Sequence, residues 1–227
     1  RYMSTSPDNY YSEPDHALRD RRFDENKSFF IDKFFPTNKS IRILDIGCGF
    51  GLFLEACARC GYKNYEGVDE GKMYVDYATK KLGLQNITCS NAISYLQSSK
   101  DRHYDIITIF NVLEHIPRNE VLALLELIHK KLSPNGTIMI EVPNAESPLG
   151  LATLYSDLTH EFAYTNKLLS HVLSLSGFSE IMVIPKYINS NKILRLAQKI
   201  LARVIGLNNK LYFSGDIVAI AKKHDSI

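Results

Sequence analysis

Arg42 to Leu54 reads R-I-L-D-I-G-C-G-F-G-L-F-L. The apolar run at 41–46 has the length and character of a buried strand. Gly47, Gly49 and Gly51 then alternate with other residues, and an apolar helical stretch at 52–59 follows at once. Strand, glycine turn and helix is the layout of a nucleotide site. Glycine lets the backbone adopt unusual φ values and lets a ligand come close, while a helix start offers unpaired N–H groups and a partial positive charge. A dinucleotide fingerprint spaces its glycines G-x-G-x-x-G. Here Leu52 stands where that pattern needs its last glycine, and the spacing is G-x-G-x-G. Asp45 lies two residues before the first glycine, where a carboxylate repels a pyrophosphate and suits a ligand bearing an ammonium group. A plain tight turn between strand and helix is the simpler reading of the glycines alone.

A second acid argues against that simpler reading. Residues 65–69, Y-E-G-V-D, form a short strand ending in Asp69. Asp69 follows Gly47 by about the interval at which nucleotide folds place a ribose ligand. Its carboxylate can accept from both ribose hydroxyls, and Glu70 can share that role. S-adenosylmethionine carries an ammonium and a sulfonium and has no phosphate. The stretch D-I-G-C-G-F-G resembles motif I of the class I S-adenosylmethionine-dependent methyltransferases, and the resemblance extends over about 29–223. It implies an α/β, Rossmann-like sheet of seven strands, mostly parallel with the last strand antiparallel, and helices on both faces. It assigns cofactor contacts to Asp45, Gly47, Cys48, Gly49, Gly51, Asp69, Glu70, Asn91, Ala92, Asn111 and Val112. A nicotinamide oxidoreductase would share the sheet, but Asp45 and the glycine spacing count against it.

Farther along, a helix is expected at 71–82 and a third strand at 87–91. The family often has an acid at the end of that strand to hold the adenine amino group. Asn91 departs from the pattern, although its amide oxygen also accepts hydrogen bonds. The strongest strand, 104–111, leads into V-L-E-H-I-P at 112–117. This resembles the fourth motif of a subgroup that includes ubiquinone-pathway and glycan O-methyltransferases. By that resemblance Phe110, Asn111 and Val112 lie against the cofactor, and Glu114 and His115 face the reaction cleft or brace its loop. Pro117 opens an amphipathic helix at 118–132, which S-P-N-G at 133–136 should terminate before a strand at 137–143. Asp45, Asp69, Asn91, Asn111 and Pro143 all fall at the carboxyl ends of strands, where open parallel sheets bind ligands.

The long segment 144–166 contains D-L-T-H-E-F-A-Y-T, and long loops over such sheets are usually functional. His160 and Glu161, flanked by Leu158 and Phe162, are expected to line a partly enclosed site. Similar T-H-E segments recur in the same subgroup. His160 is the candidate general base for a hydroxyl proton; holding the loop through its backbone is the alternative. Glu114, His115, His160 and Glu161 are metal-ligating types, but no spacing demands an ion and none is expected. Thr165 should cap a helix to 176, before strands at 179–184 and 216–222.

The chain has 227 residues, 45% of them hydrophobic, and a formal net charge of +2. That is enough for one domain with a sizeable core and argues against a nucleic-acid partner. Cys57 and Cys60 form C-x-x-C inside an expected helix with no second pair, so the four cysteines read as buried reduced thiols in a cytoplasmic protein. No signal peptide and no membrane-spanning run is evident, and Arg1 suggests a trimmed chain. Residues 1–36 read as an arm and lid helix bearing Tyr2, Tyr10 and Tyr11, with packing as the alternative, and 37–227 as the methyltransferase domain. The insert at 187–215 carries Lys192, Arg195, Lys199, Arg203 and Lys210, no acids, and apolar residues at helical spacing. A core-packed helix with a basic face is expected. Peripheral contact of Lys192–Arg203 with the inner face of a membrane, or with a lipid-linked substrate, is the alternative. The function implied is O-methylation of a sugar hydroxyl in a glycan or nucleotide-sugar pathway such as surface polysaccharide biosynthesis. A phenolic or lipid-linked small metabolite is the alternative acceptor, and a non-catalytic cofactor-binding scaffold the alternative class.

Overall fold

The computed structural model describes residues 12–147, 150–186 and 214–224. Tyr2, Tyr10 and Tyr11 and the basic residues of the insert lie outside the described residues. Seven strands form one sheet in the order β3-β2-β1-β4-β5-β7-β6. They are β1 (Ile43–Ile46), β2 (Tyr65–Asp69), β3 (Ile87–Cys89), β4 (Tyr104–Phe110), β5 (Leu132–Pro143), β6 (Phe178–Lys186) and β7 (Asp216–Lys223). The first four pair in parallel; β7 runs antiparallel to both β5 and β6. The sheet is therefore the one the resemblance implied. The chain divides into two compact units, 1–109 with 130–136, and 110–129 with 137–227.

In the first unit β1 is buried along its whole length, between β2 and β4. A parallel strand covered on both faces should be a continuous apolar run, and Ile43, Leu44 and Ile46 supply it, all fully buried. Asp45 interrupts that run. Helix α3 (Leu52–Arg59) turns Phe53, Leu54, Ala56 and Cys57 inward. The N-terminal α1 (His16–Asn26) continues through a wider turn at Lys27–Ile31 into the short α2 (Asp32–Phe34), and packs on α3. Arg19 pairs with Glu55 at 2.5 Å, Arg59 lies 3.6 Å over the Phe23 ring, and Phe30 meets Phe53 edge-on. Helix α4 (Lys72–Lys80) follows β2. The sequence pattern did not mark α5 (Ala92–Ser98), whose N-cap is Asn91. Of the four cysteines Cys48 and Cys57 are buried, but Cys60 is half-buried and Cys89 exposed, so the expectation of buried thiols holds for two.

Across the next stretch, α6 (Val121–Lys131) passes directly into β5. The S-P-N-G segment expected to separate them lies inside the strand. Asn135 takes φ +61, which absorbs the turn locally, and the Ser133 hydroxyl bonds the Asp105 carboxylate at 2.8 Å. In the second unit α7 (Gly150–Leu154) and α8 (Asn166–Leu175) flank the segment that carries His160. Thr165 caps α8 by accepting from the Leu168 N–H, as its sequence position suggested. Lys186 and Glu141 form a buried ion pair at 2.6 Å.

Candidate functional site

In the first unit the glycine turn is built as the sequence required. Gly47, Gly49 and Gly51 all have positive φ, +69°, +51° and +77°. At Gly51 a Cβ would lie 2.7 Å from Leu84 Cδ1 and 3.0 Å from Ala78 Cβ, so close packing as well as backbone conformation excludes a side chain. At Gly49 a Cβ would meet nothing within 4 Å. There the constraint is backbone conformation alone, and the turn presents bare backbone. The N–H groups of Gly47 and Cys48 both reach the Val68 carbonyl, at 2.8 and 3.1 Å, which ties the turn to β2. The Cys48 side chain is buried toward Gly67, so Cys48 offers a ligand its backbone and not its thiol.

Asp69 ends β2 and organises this turn. Its Oδ2 accepts from the Gly49 N–H and its Oδ1 from the Gly71 N–H, both at 2.8 Å. Burial raises its pKa, and the two backbone hydrogen bonds oppose that rise. Each carboxylate oxygen keeps accepting capacity, so two hydroxyls of a ribose can still bind. Glu70 beside it is exposed. Asp45 is only 3% exposed and accepts from the Thr108 hydroxyl at 2.6 Å. Burial pushes its pKa up to about 7, against the stabilising Thr108 bond. A cationic ligand group nearby would keep it ionised. Asn91 turns its amide oxygen to the N–H groups of Ile93 and Ser94 and caps α5, with Ala92 the first residue of that helix. Two carboxylates, a bare backbone turn and a helix start are a donor set that fits S-adenosylmethionine.

In the second unit Asn111 leaves β4 with φ +54, and its N–H reaches the Glu141 carbonyl at 2.9 Å. Val112 then leads into a single 3₁₀ turn, Leu113–His115. This turn is held from the other side of the unit. The Glu114 carbonyl accepts from the N–H groups of Glu161 and Phe162, at 2.8 and 3.2 Å, and the Tyr164 hydroxyl donates to the Leu113 carbonyl. The backbone thereby brings V-L-E-H into register with T-H-E-F, and the rings of His115 and His160 stand 4.7 Å apart. Glu114 is 1% exposed, and its Oε2 has no hydrogen-bond partner. Burial pushes its pKa up to about 8, and the carboxylates of Asp216, Glu141 and Asp157 add to that rise. Burial, with His160 beside it, lowers the pKa of His115.

Three of the four candidate catalytic residues thus come together. One ligand atom from each of Glu114, His115 and His160 lies within 4.8 Å of the others. Glu161 does not join them: it is exposed, and only its backbone reaches Glu114. Leu158, which flanks His160 in the sequence, is fully exposed. Phe162 is half-buried, against the Tyr164 ring and under the Arg118 guanidinium. Thr159 and Asp157 were missed. Thr159 Oγ1 lies 2.9 Å from His115 Nδ1 and donates to Asp157 at 2.7 Å. The D-L-T-H string contains both, but nothing in it points to a histidine 44 residues away.

The family described as a methyltransferase domain matches residues 17–183. A ubiquinone biosynthesis O-methyltransferase of Vibrio cholerae is 30% identical over 110 residues, 45% of this chain and 42% of that protein. A mitochondrial protein of the same name from Schizosaccharomyces pombe is 30% identical over 132 residues, 55% of this chain and 45% of that protein. The matched stretch spans less than half the length of these relatives. The crystal structure of a SAM-dependent methyltransferase from Archaeoglobus fulgidus superposes with a TM-score of 0.72 at 29% identity, covering 89% of this chain and 94% of that one. None of these names mentions a glycan or sugar, so they lend the sugar-directed expectation no support. No described helix is long and apolar enough to cross a membrane.

Proposed function

This chain belongs to the methyltransferase domain family, with S-adenosylmethionine as its cofactor, and we propose that it methylates the hydroxyl of a small phenolic acceptor. The observation that carries the choice of an oxygen acceptor is the Glu114–His115–His160 cluster. The names of the two relatives, both O-methyltransferases of ubiquinone biosynthesis, favour a phenolic acceptor over a sugar.

Asp69, the glycine turn and Asp45 are the residues that would hold the donor. Asp69 offers its remaining lone pairs to the ribose, and Asp45 places negative charge where an ammonium can use it. When bound, the donor supplies a methyl group made electrophilic by a sulfonium. Everything else falls to the protein's own side chains. An oxygen nucleophile must give up its proton at or near transfer, and the cluster in the second unit offers two imidazoles that can accept one. A phenol, with a pKa near about 10, is a far easier acid for an imidazole than an aliphatic alcohol. A positioned base contributes typically about 10²–10⁴-fold, and alignment of the oxygen with the methyl group adds to it.

The test is a transfer assay with methyl-labelled donor and two matched acceptor panels, alkyl-substituted phenols and nucleotide sugars. Label on a phenolic oxygen is the expected result. Label on sugars alone would overturn the acceptor class, and donor binding with no transfer to either panel would favour a scaffold. His160→Ala should lower turnover by about 10²–10⁴-fold with donor affinity unchanged.

A further inference from the structure

We propose that Glu114, His115 and His160 are the protein ligands of a divalent transition-metal ion of the zinc type. Their ligand atoms, one from each residue, lie within 4.8 Å of one another. What turns proximity into a site is the direction of the hydrogen bonds around it. The Thr159 hydroxyl gives its hydrogen to Asp157 Oδ1 at 2.7 Å. Toward His115 Nδ1, at 2.9 Å, it can therefore only accept, as can the Thr159 carbonyl at 3.3 Å. His115 must carry its proton on Nδ1. His160 Nδ1 lies 3.2 Å from the Thr153 carbonyl, which also only accepts, so the same holds for His160. In the neutral form each ring then has its lone pair on Nε2. An imidazole whose other nitrogen donates to a carbonyl or hydroxyl is the usual state of a metal-bound histidine.

Glu114 supplies the third, independent observation. It is 1% exposed, and its Oε2 has no hydrogen-bond partner. A buried acceptor without a donor costs about 1–3 kcal/mol. Here the carboxyl stands beside two imidazoles, one ligand atom of each residue lying within 4.8 Å of the others. A cation satisfies all three at once.

The chemistry of the set selects the ion. Two imidazoles and one carboxylate suit zinc and its first-row neighbours, whereas magnesium prefers oxygen ligands and retains its water. Two histidines and a glutamate with further positions open are a known catalytic zinc arrangement. Bonds of about 2.0–2.1 Å in a tetrahedron put ligand atoms about 3.3 Å apart, so the three must draw in by up to about 1.5 Å. Rotation of the Glu114 side chain and the two rings provides that movement. The open positions would take an acceptor oxygen and lower its pKa, as metal-bound water is acidified. This deepens the O-methylation reading, but ion binding itself is measured without any acceptor.

The experiment uses the full chain, stripped with a chelator and titrated calorimetrically with zinc, cobalt and magnesium ions separately. Zinc should bind one per chain and cobalt should give the visible absorption of a four- or five-coordinate ion, while magnesium gives no heat. His115→Asn and His160→Asn should each abolish the stoichiometric zinc event. Thr159→Val, which removes only the hydroxyl that orients His115, should weaken zinc about 10–100-fold. His171→Ala, on the exposed face of α8, should leave the titration unchanged. Circular dichroism confirms folding of each variant. Absence of stoichiometric zinc binding by the wild type, or its survival in both histidine variants, overturns the site. If the stripped protein binds no zinc but still methylates phenols, the ion is refuted and the acceptor reading stands. If zinc binds as described but no phenol is methylated, the acceptor reading falls and the ion site stands.

Discussion

The substitution Asp45→Asn measures how much the first strand is destabilised by the charge it carries. Asp45 is 3% exposed in the middle of a run of buried isoleucine and leucine, and its pKa stands at about 7 against an ordinary 3.8. Because the folded pKa is raised, the folded state holds this proton more tightly than the unfolded chain does. The contribution to stability is fully present below about pH 3.8 and is lost as pH rises to 7, where the penalty becomes complete. Each pH unit within that window costs about 1.36 kcal/mol. Between about pH 5 and pH 8 the wild type should lose about 2–3 kcal/mol through this group alone. The amide that replaces the carboxyl keeps an acceptor for the Thr108 hydroxyl and has no proton to lose in this range. Urea denaturation of wild type and variant at roughly half-unit intervals across that range isolates the effect, because other titrating groups cancel in the difference. The gap should move in the variant's favour by about 2–3 kcal/mol from the acid end to the alkaline end. Parallel curves would refute the assignment of a buried, proton-hungry carboxyl at this position.

The same titration should appear in donor binding: affinity for S-adenosylmethionine falls below about pH 7 as Asp45 protonates, and calorimetry one unit either side of that value reads the difference. Gly51→Ala, with φ +77 and Leu84 only 2.7 Å from the new Cβ, should cost about 2–4 kcal/mol in a urea melt. Gly49→Ala meets no neighbouring atom and should cost only about 1–2 kcal/mol, for its φ of +51, but should weaken the donor at least as much as Gly51→Ala does. Lys186→Met strands Glu141, itself almost fully buried, and should destabilise by about 3–5 kcal/mol. Adding Glu141→Leu should recover most of that loss in the same assay.

The donor side was legible because its signals are local. A strand, three glycines and a helix lie within the single stretch 41–59, and each glycine answers to its own φ or its own neighbour. Asp69 could be placed because β2 follows by a short connection. What could not be read is what packing decides. Leu158 and Glu161 lie in the segment expected to line an enclosed site and are exposed, whereas the depth at which Glu114 is buried has no counterpart in its motif. The helix at Ala92–Ser98 is too short to show a period, and Asn91, read in the sequence as a cofactor contact, is its N-cap. The S-P-N-G stop failed because a strand can absorb one residue at φ +61 without ending. The pairing of V-L-E-H with T-H-E-F depends on two backbone hydrogen bonds from Glu161 and Phe162 to the distant Glu114 carbonyl, which no motif records.

The segment between Asn144 and Tyr164 is fastened where it leaves the fold and again where it returns. The two residues form a parallel bridge, Ala145 donates to the Tyr164 carbonyl at 2.9 Å, and both Asn144 and Tyr164 are buried. Lengthening a closed loop costs only about 0.6 kcal/mol per doubling. Selection can thus extend this segment cheaply wherever the added residues spare Thr153, Asp157, Thr159 and His160, as one changes a blade without altering the handle. New acceptor preferences could evolve there while the sheet and the donor turn keep their sequence.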